Sequence, residues 1–135
     1  MSNPQLVTNH AILCVDLATD RLFSEVIQEA ENRPFYWVRP LILQIGLDAD
    51  QMQLNQSVYE PDSWDYTVYD VRQSADLILP RSLFRPALDT EVLPLMTQLH
   101  SPKHTMIGDR LAKEQMHQFV QHLWRTFPHA FVNPR

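Results

Sequence analysis

DRLAKEQMHQFVQHLWRTF, residues 109–127, carries the strongest pattern in the chain. Leu111, Met116, Phe119, Val120, Leu123, Trp124 and Phe127 recur at helical spacing and form one apolar stripe, while Gln115, His117, Gln118, Gln121, His122 and Arg125 fall mostly elsewhere. Asp109 can cap the start, and Pro128 follows the end. At about 1.5 Å per residue, such a helix runs roughly 28 Å, enough to cross a small domain. The stripe reads as a brace against a core. His117 and His122 are spaced too far around the helix to hold one ion together.

The chain upstream of this helix is mostly strand-like. Residues His10 to Leu17 are apolar on both parities: Ala11, Leu13, Val15 and Leu17 on one, Ile12 and Cys14 on the other. A strand buried on both faces has this signature. Leu22, Phe23, Val26, Ile27 and Ala30 then predict a helix over Asp20 to Glu31, capped by Thr19 or Asp20. The rival is a hairpin turning at Thr19-Asp20. Phe35 to Ile45 is the most strand-like stretch, with Phe35, Trp37, Leu41, Leu43 and Ile45 on one parity. Pro40 cannot donate to a ladder, so it marks a bulge or an edge.

Residues Gly46 to Ser63 are polar, acidic and weakly patterned, as in a long loop. Trp64 to Val71 alternates like a strand, a tight turn follows at Arg72 to Ala75, and Asp76 to Leu79 reads as a further short strand. Pro86 and Pro94 punctuate the next stretch. They predict two short helical pieces, Ser82 to Leu88 and Thr90 to Leu99, with Asp89 as a cap between them. His100 to Gly108 reads as a loop. The sum is an α+β domain spanning residues 1–135: a small mixed or antiparallel sheet of about four strands, packed by the long C-terminal helix and shorter ones. Residues 1–8 and 133–135 are expected to be flexible.

Composition narrows the function classes. The apolar fraction of 44% and charged fraction of 20% are those of a globular chain. Sixteen acidic against eleven basic side chains give a net charge of −5, and the basic residues are scattered. Nucleic acids and anionic membrane surfaces attract clustered positive charge, so neither is an expected partner. The longest apolar run is far short of the roughly 20 residues that span a bilayer, so no membrane insertion is expected. A single cysteine, Cys14, and no visible secretory signal fit a cytoplasmic setting. Only two glycines occur, Gly46 and Gly108, too few for the glycine-rich phosphate cradles or nucleophile elbows.

No catalytic set, cofactor site or metal site stands out. His100 and His104 have a ligand spacing, but Pro102 interrupts any helix between them. Asp48-Ala49-Asp50 begins like a calcium loop, but Met52, Gln53 and Tyr59 occupy positions that need ligands or glycine. Cys14 sits in an apolar run, as a buried structural thiol does. Seven acids lie between Asp48 and Asp76 with Arg72 as their one base, and aromatic residues concentrate nearby. An aromatic exposed beside these acids would make a protein-binding hot spot. The candidate residues for such a patch are Tyr36, Tyr59, Asp62, Asp65, Tyr69 and Asp70. Arg81 and Arg85, four apart, are a weaker candidate for binding an anion, with pairing to Asp76, Asp89 or the acidic stretch as the favoured reading.

The phrases Arg39-Pro40-Leu41 and Leu83-Phe84-Arg85-Pro86-Ala87-Leu88-Asp89 resemble the wording of small uncharacterised cyanobacterial proteins. That resemblance covers the middle of the chain, brings no functional residue with it, and implies an accessory or assembly role. The expected function is a non-enzymatic protein-interaction module, an adaptor, regulator or assembly factor, that binds a protein partner through its acidic, aromatic-bearing middle. A homo-oligomer is compatible with it. Two alternatives remain open: an enzyme or small-ligand binder with a site dispersed over Arg81, Arg85, His100, His104 and the acids, and an acidic immunity or inhibitor protein that masks a basic partner enzyme.

Overall fold

Six strands form one antiparallel sheet in the computed structural model, which describes residues 10–30, 33–46, 66–100 and 109–132. The strands are β1 (Ile12–Leu17), β2 (Asp20–Glu29), β3 (Phe35–Gly46), β4 (Tyr66–Asp70), β5 (Leu77–Pro80) and β6 (Phe84–Pro86). A 3-10 turn, Arg81–Leu83, joins β5 to β6, and three helices follow: α1 (Asp89–Leu99), α2 (Asp109–Thr126) and α3 (Pro128–Val132). The order across the sheet is β4-β3-β2-β1-β6, with β5 pairing to the other half of β3. The α+β architecture and the long C-terminal helix expected from the sequence are present, with six strands in place of about four.

At β2 the structure overturns the favoured helix and takes the rival reading, a hairpin turning beside Thr19-Asp20. Residues Asp20–Glu29 form the second strand of a hairpin, with Leu17 paired to Asp20 and Cys14 to Phe23. The helix expected over Asp20 to Glu31 is absent for a physical reason. Leu22, Phe23, Ser24 and Val26 are all buried, because both faces of the sheet are covered, so the period of two is erased. The ladder to β3 also slips twice: Phe23 pairs with Ile42 but Ser24 with Pro40, and Val26 pairs with Val38 but Gln28 with Trp37. Each slip inserts an extra residue, Leu41 in β3 and Ile27 in β2, and shifts the apolar spacing toward a helical one. Ala18, in the tight turn, takes a left-handed conformation with φ of 54°. Asp20 braces that corner, its Oδ1 accepting from the Gly46 N–H at 2.9 Å. A Cβ on Gly46 would lie 2.5 Å from Thr19 Cβ and 2.6 Å from the Thr19 carbonyl oxygen, so the hairpin turn fits against β3 only over a glycine.

Helix α2 covers one face of the sheet. Its Ala112, Met116, Phe119 and Leu123 pack on Val15, Leu17, Leu22, Leu43, Tyr69 and Leu79. The buried stripe is narrower than the sequence suggested: Leu111 and Trp124 are largely exposed, and Trp124 stacks on Phe131 of α3 with ring centroids 4.1 Å apart. Helix α1 covers the opposite face, where Val92, Leu95 and Leu99 pack on Cys14, Phe23, Ile42 and Val68. The helix expected over Ser82 to Leu88 is instead the 3-10 turn and β6, whose Phe84, Arg85 and Pro86 pair with Val15, Cys14 and Leu13. Pro86 fits at the end of a three-residue edge strand, where its missing N–H costs little. The α1 helix begins one residue before Thr90, and Glu91 Oε1 accepts from the Leu88 N–H at 3.0 Å, so Glu91 rather than Asp89 caps it.

Candidate functional site

Strand β3 changes neighbour along its length, and this divides the α1 side of the sheet into two halves. Leu43 to Gly46 and Ile42 pair with β4, while Phe35 to Val38 pair with β5. The bulge at Leu41 lies at the change-over. In the β4 half, the sheet face lies under α1. In the β5 half, Trp37, Arg39 and Ile78 point outward, and Trp37 stands directly opposite Ile78 in the ladder. Trp37 is 40% exposed and Ile78 64%. Tyr36, Val38 and Leu79, the alternate residues, point into the core on the α2 side.

Trp37 is exposed yet fixed. Its Nε1–H donates to Asp76 Oδ2 at 3.0 Å, and Arg39 Nε lies 3.6 Å from the other oxygen of the same carboxylate. One acid at the foot of β5 thus holds an indole and a guanidinium side by side. Glu25, opposite Arg39 in the ladder, accepts from or pairs with His10 Nδ1 at 2.6 Å. The open half is therefore an aromatic and aliphatic centre with a charged rim.

The covered half carries a different polar arrangement. Asp16 of β1, Arg21 of β2, Arg85 of β6 and Glu91 of α1 close a ring of four charges. Arg21 lies 3.2 Å from Asp16 and 3.0 Å from Glu91, and Arg85 Nη2 donates to Glu91 at 2.8 Å and Arg85 also bonds Asp16. Hydrogen bonding from Arg85 pulls the Glu91 carboxyl down to about 2 and holds Asp16 below the usual carboxylate range, while those same bonds raise Arg85. Cys14 lies beneath, its Sγ 3.7 Å from Asp16 Oδ1, and burial followed by the Asp16 charge pushes its thiol up to about 12. A thiol in that state is not a nucleophile at neutral pH. The ring ties the N-terminus of α1 to three strands, a fastening role.

The residues singled out from the sequence are distributed unevenly over these features. Tyr36 and Tyr69 are buried in the core, where burial raises both phenols, so neither offers a face to a partner. Asp70 is exposed, and Arg72 engages both its oxygens, at 2.9 Å and 2.7 Å, holding it below the usual range. Tyr59, Asp62 and Asp65, together with Trp64, His104 and the expected loop over Gly46 to Ser63 beyond Gly46 itself, lie outside the described residues. Arg81 pairs with Glu29, and Arg85 with Asp16 and Glu91. Both guanidiniums are occupied, though by acids other than the ones expected. Among the described residues, no three His, Cys, Asp or Glu side chains gather as a metal site requires, and no helix is long and apolar enough to cross a membrane.

Trp37 is the functional candidate that the sequence pattern misassigned. Continuing the odd parity of Leu41, Leu43 and Ile45 back through Pro40 puts it in the core. The proline was the available signal, since a bulge there exchanges the two faces. Comparison with protein-family models, with curated proteins and with solved structures finds no match to this chain.

Proposed function

We propose that the protein is a non-enzymatic interaction module, an adaptor or assembly factor, that docks a protein partner on the open half of the sheet. The observation that carries this reading is Trp37: large, 40% exposed, paired with an exposed Ile78 and locked by Asp76. A tryptophan already held in one rotamer loses little entropy when a partner covers it, and Trp and Arg dominate the residues on which interfaces depend. The partner presents an apolar side chain to Trp37 and Ile78 and basic side chains to the rim. Asp76 and Glu25 lie at that rim beside Arg39, and the chain's net charge of −5 favours approach of a basic surface. This keeps the expected partner class while moving the surface from the tyrosines to the next strand position. A reducing, cytoplasmic compartment suits the reading, supported by the single buried thiol.

The test compares baits by quantitative mass spectrometry in cells of the native source. Wild type, a Trp37→Ala/Ile78→Ser double variant and a control, Leu93→Ser on the outer side of α1, are captured in parallel. At least one protein should be recovered with wild type and control and fall at least about tenfold with the double variant, the loss expected of a hot spot. Equal recovery by all three baits, or no recovery by any, rules the surface out.

A further inference from the structure

A groove of ≈ 460 Å³ runs between helix α2 and the turn that joins β4 to β5, on the side of the sheet away from Trp37. Leu77, Met116 and Val120 form its apolar floor. Lys113 and His117 stand on its rim, and Gln73 and Ser74 face them from the turn. Lys113, Met116, His117 and Val120 are at i, i+3, i+4 and i+7, so one helix face supplies both the floor and the rim. In a chain with a net charge of −5, this groove has basic residues and no carboxylate among its described lining. Lys113 has no ion-pair partner among the described residues, while Arg110 on the same helix pairs with Glu114.

We infer that this groove binds a small amphipathic carboxylate, its apolar body along Leu77, Met116 and Val120 and its anionic end at Lys113 and His117. Three features support that ligand class. The volume lies within the roughly 300–1,000 Å³ of small-molecule sites. The one methionine of the floor, Met116, adapts to unbranched or irregular apolar bodies. The charge on the rim has one sign, which favours an anion and disfavours a neutral or cationic amphiphile. The opposing turn contributes a side-chain amide and a hydroxyl, donors suited to the second carboxylate oxygen. This site shares no residue with the Trp37 surface, so either reading can fail alone.

Octanoate is the probe, with octan-1-ol as the uncharged control, each titrated into the full chain and followed by amide chemical shifts. Octanoate should move the signals of Lys113, Met116 and His117 together with Ala75 in the groove wall. Lys113→Gln should weaken it about fivefold, the size of a partly exposed ion pair. Ala75→Phe, which fills the groove from an exposed position, should abolish the shifts. Lys113 and Ala75 are both at the surface, so circular dichroism should show that both variants keep the fold. Octanol binding as tightly as octanoate, an unaltered affinity in Lys113→Gln, retained binding in Ala75→Phe, or shifts centred elsewhere would each overturn the assignment.

Discussion

One face of one sheet is finished in two different ways. Under α1, Cys14, Phe23, Ile42 and Val68 are sealed by Val92, Leu95 and Leu99, and the charge ring of Asp16, Arg21, Arg85 and Glu91 fastens the helix down. Further along β3, where β5 replaces β4 as its neighbour, Trp37 and Ile78 lie open with their polar neighbours organised by Asp76. Charged groups serve both halves, but they do different things. In the covered half they hold a lid over apolar surface. In the open half a single carboxylate holds apolar surface in place without covering it. Burial stabilises the first region; in the second, a single carboxylate fixes side chains that stay exposed.

The largest effect separates these halves by stability. Phe23 is fully buried, so Phe23→Ala should cost about 3–5 kcal/mol in denaturant unfolding, from lost burial and the cavity left behind. Trp37→Ala removes a larger side chain and should cost only about 1 kcal/mol, the worth of an exposed cross-strand pair. Equal losses would show that the division between the halves is not energetic. The second effect comes from the ring. Arg85→Ala takes hydrogen bonds from two carboxylates at once and should cost about 2 kcal/mol at neutral pH.

That latch also has a pH signature. Glu91 is at about 2 in the folded chain against an ordinary value of 4.5, so its folded pKa is depressed. The stability it contributes is complete above 4.5 and is lost as pH falls from 4.5 towards 2. Asp16 is depressed as well and acts in the same direction. Wild-type unfolding free energy should therefore decline across that window, and Glu91→Gln should show a shallower decline from a lower starting point. A variant as acid-sensitive as wild type would mean that Glu91 titrates normally in the folded protein.

Why the sequence reveals one half better than the other follows from the same geometry. The strand over His10 to Leu17 was legible as buried on both faces, and it is β1, with a helix on either side. The α2 helix was legible because solvent wets one side of it and keeps the 3.6 period intact. β2 was legible only as the rival reading, a hairpin turning near Thr19-Asp20: two covered faces and two ladder slips leave Leu22, Phe23, Val26 and Ile27 spaced like a helix. Trp37 was hidden by the bulge at Leu41, which reverses the parity that Leu43 and Ile45 suggest. The four-charge ring joins residues up to 75 positions apart (Asp16 to Glu91), and no local spacing announces it. Asp76 beside Trp37 was equally invisible, since it depends on β5 pairing with β3 rather than with β4. Local periodicity records which faces are wet. It does not record which strand lies next to which.

The smallest effect reads the lid directly, and the chain carries its own reporter. Cys14 is completely buried beneath α1, and its thiol is pushed up to about 12. At pH 8 a thiol reagent can therefore modify it only when the covered half opens, so the labelling rate measures that opening. Wild type should be protected by orders of magnitude relative to the denatured chain. If the ring contributes about 2 kcal/mol to holding α1 in place, Arg85→Ala should raise the labelling rate about thirtyfold while leaving far-UV circular dichroism unchanged. Trp37→Ala, in the uncovered half, should leave it within about twofold. Faster labelling in Trp37→Ala than in Arg85→Ala would mean that the two halves open as one unit, and that the open half is held by the same cooperative packing as the closed one.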